Sequence, residues 1–152
     1  MSRLRADLAS LPSWGFAEPG PLRDELTEAA LAGAKTTTSS LMVEYEIEGE
    51  PLPQAGQHDL LLDSTERPVA VVETVSCRVT RLADVDDQHA IDEGEGYADA
   101  AAYRAGHEQF WNGYVDQLRS NLGDPTFALE DDTLVVLERF RIIERLDQGE
   151  AG

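Results

Sequence analysis

At 152 residues, 41% of them hydrophobic, the chain suits one domain able to bury about two-thirds of its unfolded surface. Thirty acids against twelve bases leave a formal charge of −18, which argues against duplex DNA or long RNA, because affinity for a phosphate backbone comes mostly from Lys and Arg. No run approaches the ~20 apolar residues of a membrane span. The arginines near Met1 lead into no secretory apolar stretch, and Cys77 has no internal disulfide partner, so the expected compartment is the cytoplasm.

Residues 1–13 read as a polar leader. Gly20-Pro21 suits a helix start, and Leu22, Leu26, Ala29 and Ala30 at helical spacing predict an amphipathic helix over 21–32, stopped by Gly33. Leu41, Val43, Tyr45 and Ile47 alternate with Met42, Glu44, Glu46 and Glu48, which predicts a half-buried strand. Gly49, Pro51 and Pro53 break it. His58 to Leu62 predicts a short strand, and 63–67 a turn. Pro68 to Leu82 is long and valine-rich, so it is expected to bend or to serve two sheet regions. Asp84 to Glu93 has helical character and ends at Gly94-Glu95-Gly96. Tyr103, His107, Phe110, Trp111, Tyr114, Val115 and Leu118 share one stripe and predict a single amphipathic helix. Thr133 to Leu146 predicts a strand, with 147–152 as a tail. The sum is one α+β domain over residues 14–146, built on a mixed or barrel-like sheet.

Eleven of the twelve bases are arginine, and the only lysine is Lys35. An arginine holds its proton in any protein setting, whereas a crowded lysine can release one, so the lone lysine reads either as a place where an amine is wanted or as a chance survivor. It lies in Gly33-Ala34-Lys35-Thr36-Thr37-Thr38. That segment lacks the Gly-Lys pair and earlier glycine of a phosphate loop. The acids Asp84, Asp86 and Asp87 and the nearby His89 match no metal-ligand spacing, and an acidic first helical turn is favoured by the dipole instead. No metal or cofactor is expected. His107 reads as core or pocket lining, Phe110, Trp111 and Tyr114 as core, and Cys77 as a small buried hydrophobe.

Taken together, Gly33 to Thr38 after a helix, a valine-rich strand, Asp84 to Ala90 leading into Glu93-Gly94-Glu95-Gly96, the Tyr103 to Trp111 helix and the closing Leu137-Glu138-Arg139-Phe140 strand resemble the ASCH family. The likeness runs from about Trp14 to Leu146. It implies a PUA-like mixed β-barrel with flanking α-helices. Some ASCH proteins are similar to nucleic-acid-binding modules and some are reported ribonucleases. A bacterial branch hydrolyses the amide of 4-acetylcytidine with a lysine, a threonine three positions later and a glutamate after a His-Ala pair. The matching positions are Lys35, Thr38 and Glu93. The chain departs from that branch in its length, its extra aromatic helix and its acidity. Trp14 and Phe16, in a loop-like stretch beside the Lys35 segment, are candidates either to stack on a substrate or to plug one end of the barrel, and Ser39 and Arg104 are further candidates to bind substrate.

Two physical requirements follow. Residues three apart face opposite ways on a strand but share a face in a helical turn, so joint action of Lys35 and Thr38 predicts that this segment turns. Glu93 at a predicted helix C-terminus sits where the macrodipole disfavours negative charge, which predicts a raised carboxyl pKa suited to a proton donor. The leading expectation is a hydrolase of an acylated pyrimidine nucleoside, in which Lys35 activates Thr38 and Glu93 shuttles the proton. The alternatives are an RNA-binding or RNA-cleaving module acting on short single-stranded RNA, and a non-catalytic nucleotide-binding domain.

Overall fold

A computed structural model describes residues 10–146; positions 1–9 of the expected leader and the expected tail lie outside the described residues. In chain order the elements are β1 (Ser13–Trp14), α1 (Pro21–Leu31), β2 (Thr37–Leu41), α2 (Met42–Glu48), β3 (His58–Leu62) and β4 (Pro68–Arg81). A 3-10 turn (Leu82–Asp84) follows, then α3 (Asp87–Asp92), α4 (Ala100–Asn112), α5 (Val115–Leu122) and β5 (Leu134–Arg145). The strands form one sheet in the order β1-β3-β4-β5-β2. β1 runs parallel to β3, and the other pairings are antiparallel. The α+β class expected from sequence is observed. The sheet does not close: β1 and β2 are its two edges, so the barrel is an open one.

The sheet separates two cores. On one face Leu41, Val135 and Leu137 pack with Tyr103, Trp111 and Leu118 of the helices that follow β4. On the other, Phe16, Ala30, Leu61, Val72 and Phe140 form a second cluster beneath α1. β4 is shared between two neighbours, one of the two outcomes its length predicts: it pairs with β3 over its first part and with β5 from Ala70 to Arg81, with register shifts at Val71/Val72 and Thr74/Ser76.

Three expectations are corrected. The predicted strand from Leu41 to Glu48 is instead helix α2. Over seven residues an alternating pattern also contains the pair Val43 and Ile47, four apart, and these two pack on the core. The Glu44 carboxylate reaches back to the Leu41 N–H at 3.0 Å, and Gly49, with φ 66°, closes the last turn. The single aromatic helix is two helices, broken at Gly113-Tyr114, with Tyr103, His107 and Trp111 buried and Phe110 exposed. In α1 the buried positions are Arg23, Thr27 and Ala30, while Leu22 is exposed. The Arg23 guanidinium is satisfied by the carbonyls of Phe16, Ala17 and Asp63, which lets a charged side chain lie where a leucine was expected.

Candidate functional site

Gly33 (φ 86°) ends α1, and the N–H groups of Ala34 and Lys35 both return to the Ala29 carbonyl. The chain then enters β2 against the end of α3. Thr36 N–H donates to Asp92 O at 2.8 Å, and Thr37 Oγ1 donates to His89 O at 3.0 Å. At Gly94 (φ 68°) the two backbones are so close that a Cβ would collide with the Ala34 carbonyl oxygen. This junction sets Lys35 and Glu93 side by side, each 1% exposed.

Four oxygens surround Lys35 Nζ: Thr37 O at 2.9 Å, Glu93 O at 3.2 Å, Glu93 Oε1 at 3.5 Å and Glu95 Oε2 at 3.0 Å. The face of the Phe16 ring adds a cation–π contact, 5.3 Å from the ring centroid. Glu93 Oε1 also lies 3.4 Å from His107 Nε2. Its other oxygen, Oε2, accepts the Ser39 hydroxyl at 2.5 Å and lies 3.0 Å from His89 Nε2. Ser39 Oγ in turn accepts from the Tyr103 hydroxyl at 2.7 Å and stands 2.9 Å from His89 Nε2. His107 is stacked on Tyr103 with ring centroids 4.0 Å apart. Its Nδ1 lies 3.0 Å from the Tyr103 carbonyl, and its Nε2 faces Glu93.

Burial pushes the Glu93 carboxyl upward, but the hydrogen bonds from His107 and His89 and the charge of Lys35 outweigh it and hold the group well below the usual carboxylate range. The expectation of a raised pKa is therefore reversed. A six-residue helix has a small dipole compared with three nitrogen groups in contact. Glu93 is therefore held as a carboxylate that accepts the Ser39 hydroxyl. Glu95 moves the other way, raised by burial against the opposing pull of Lys35. Burial and Glu93 push the Tyr103 phenol far above its ordinary value, so it stays a donor to Ser39.

Of the residues singled out by sequence, the fold brings together Lys35, Glu93 and Ser39. The segment after Thr36 is extended rather than turned, so Thr38 and Ser39 leave opposite faces of β2. Ser39 meets Glu93, whereas Thr38 is paired across the ladder with Glu138, on the other face. Phe16 is buried in the second core. Half-buried Trp14 packs edge-on against it at 5.0 Å and donates to Asp59 at 3.3 Å. The Arg104 guanidinium is held by Glu108 at 3.1 Å and Asp131 at 2.6 Å. Asp86 caps α3 through the His89 N–H. Glu93, Glu95 and His107 bring ligand-type atoms within 4.8 Å of one another. Lys35 Nζ contacts both carboxylates, so the position a cation would take between them is held by an ammonium. Sequence reading missed His89, Tyr103, His107 and Glu95 as members of the cluster. The usable signals were two spacings of four, His89 to Glu93 and Tyr103 to His107, each stacking its pair on one helical face.

Known proteins agree with this architecture. A crystal structure of a protein from Enterococcus faecalis V583, assigned to the DUF984 family, superposes with a TM-score of 0.77 at 24% identity, over 93% of this chain and 81% of that one. The ASCH domain of Lactobacillus crispatus JV V101 gives 0.76 at 23% identity, over 93% and 92%. No curated protein matches. At these identities the likeness speaks for the fold. The family model for the ASCH domain matches residues 12–144, a span that holds all of the sheet except Arg145 and every member of the Lys35–Glu93 cluster; the chain belongs to the ASCH family.

Proposed function

We propose that the chain hydrolyses a small amide on a nucleoside-like substrate, with an acylated pyrimidine of the 4-acetylcytidine type as the leading candidate. The observation that supports this is the Ser39 hydroxyl donating to a buried carboxylate at 2.5 Å with an ammonium on the same carboxylate's other oxygen. A serine is inert until its proton has somewhere to go; in this reading Glu93, already hydrogen-bonded to the hydroxyl, takes the proton in concert with attack, and its low pKa makes it a strong donor to the leaving nitrogen. In this reading Ser39 Oγ attacks the acyl carbon while its proton passes to Glu93. Lys35 Nζ turns a donor to the oxyanion once Glu95 is displaced from it. The C–N bond then breaks and Glu93 returns the proton to the leaving nitrogen. Water attacks the seryl ester, giving its proton to Glu93. The C–O bond to Ser39 breaks, Ser39 regains a proton, and the free amine and the carboxylic acid leave. The resemblance would give the nucleophile's part to Thr38, and Lys35 the part of activating base. Four oxygens around Nζ favour a charge-stabilising role for Lys35 instead.

Lys35 and Glu93 are too buried to touch a substrate unless the Gly94-Glu95-Gly96 segment moves. Both glycines have positive φ, so their substitution is disfavoured in this conformation, and Glu95 is the residue that covers Lys35. The test is chromatographic release of cytidine from 4-acetylcytidine by wild type, Lys35→Ala, Glu93→Gln, Ser39→Ala and Thr38→Ala. Loss of about 10³-fold or more in the first three, with Thr38→Ala near wild type, is the expected pattern. Loss in Thr38→Ala with Ser39→Ala unaffected would move the nucleophile to Thr38. No release by wild type would overturn the hydrolase reading for this substrate.

A further inference from the structure

On the helix-facing side of the β4–β5 ladder, Ser76 pairs with Arg139 and Arg78 with Leu137. The two arginines are therefore diagonal neighbours, with Cα atoms about 7–8 Å apart. They flank a depression of about 130 Å³ whose lining also includes Ser76, Gln88, Asp86 and His89. That volume suits a tetrahedral oxyanion with its first waters. The depression reaches the catalytic cluster through His89, whose Nε2 touches both Ser39 and Glu93.

Each guanidinium is held by one carboxylate at an end of α3, its N-cap Asp86 or its last residue Asp92. Arg78 Nη2 lies 3.2 Å from Asp86 Oδ2, and Arg139 Nη2 lies 2.7 Å from Asp92 Oδ2, with Nη1 3.4 Å from Thr36 Oγ1. A guanidinium has five N–H donors. Both arginines keep donors beyond those bonds while the acids fix their planes, which is the pre-organisation that bidentate recognition of a phosphate uses. A charge of −18 would repel an anion at long range. At physiological salt, charges beyond about 8 Å are largely screened, so the local pair of arginines governs the last approach.

We infer that this depression takes the phosphate of a nucleoside monophosphate, so that the phosphorylated form of the acylated pyrimidine is preferred over the free nucleoside. The inference rests on the amidohydrolase reading for its chemistry but not for its binding site. Two experiments separate the two ideas. Binding of 5′-CMP and of cytidine is measured by titration calorimetry on wild type, Arg78→Gln and Arg139→Gln. Hydrolysis of 4-acetylcytidine and of its 5′-monophosphate is measured on the same proteins.

The expected result is about tenfold or greater preference for the phosphorylated member of each pair. That preference should shrink as salt is raised and collapse toward unity in the variants. Arg78 is half exposed, so its variant tests the idea without disturbing the core. Equal binding of 5′-CMP and cytidine, or a preference that survives both substitutions, would overturn the phosphate site. Tighter binding of the dinucleotide CpC than of 5′-CMP would overturn the monoester and assign the same donors to an RNA phosphodiester. Arginine-dependent 5′-CMP binding without any hydrolysis would remove the amidohydrolase reading and keep the site.

Discussion

A carboxylate that is 1% exposed keeps its charge where nearby donors replace the hydration it has lost. Glu93 has those donors in Ser39, His89, His107 and Lys35, and two consequences follow for pH. First, its folded-state pKa lies below the unfolded one, so its contribution to stability is present above the ordinary value of 4.5 and is lost as pH falls through the folded value. In the proposed hydrolysis, where Glu93 takes the Ser39 proton, the acid limb of kcat/KM should lie below pH 4.5. Lys35→Ala should bring that limb upward and cost about 3–5 kcal/mol in a denaturant titration, because the partner charge is left buried. An acid limb unmoved by Lys35→Ala would mean that another group sets it. Second, Glu138 on the opposite face has the reverse sign: burial, eased by the Thr74 hydroxyl at 2.9 Å and reinforced by Asp59, raises its pKa. Its stability contribution is complete below the unfolded value and declines as pH rises. Glu138→Gln should therefore raise Tm at pH 8, and the gain should fade toward pH 4; a loss of Tm at pH 8 would contradict the sign. Lys35 and Glu93 were legible from sequence through a motif. Their histidine and tyrosine partners were not, because nothing local shows that two helices converge on one strand residue.

At the level of elements, the junction of α1, β2 and α3 does most to make the cluster. Gly94 combines a left-handed backbone with direct contact against Ala34, whereas Gly96 (φ 92°) has a left-handed backbone and open space around it. Gly96→Ala should cost about 1 kcal/mol from backbone strain alone. Gly94→Ala should cost clearly more, on the order of 3 kcal/mol, and should pull Lys35 and Glu93 apart. Equal costs in urea unfolding would show that the contact at Ala34 is unimportant. Sequence gave the long strands β4 and β5 and the helices α1 and α4 because their patterns run for ten or more residues. It misread α2, where seven residues of alternation satisfied both periods and the decision lay with Glu44, which caps Leu41 and accepts the Tyr114 hydroxyl at 3.0 Å. That last bond joins residues 70 positions apart, so no window of sequence contains it. The same limit hid the choice between Thr38 and Ser39, which depended on whether residues 37–41 turn or extend.

For the whole molecule, the open sheet divides the interior into two compartments with different polar contents. One holds Lys35, Glu93, Ser39 and the two histidines beneath α3 and α4; the other holds Asp59, Thr74 and Glu138 beside Trp14. Among the described residues no helix is long and apolar enough to cross a membrane. The acidity leaves the arginines of the β4–β5 face as a local exception to the field around them.

Because Lys35 is the only lysine and its amine is capped by Glu95, the molecule carries a built-in reporter of its own opening. An amine-acylating reagent should modify Lys35 only during the intervals when the cap is lifted. Peptide mass spectrometry over time would then count those intervals directly. Glu95→Ala should shorten the labelling half-life at Lys35, and a bound ligand that seals the cluster should lengthen it. Equal labelling of Lys35 in wild type and Glu95→Ala would mean that the cap does not gate access.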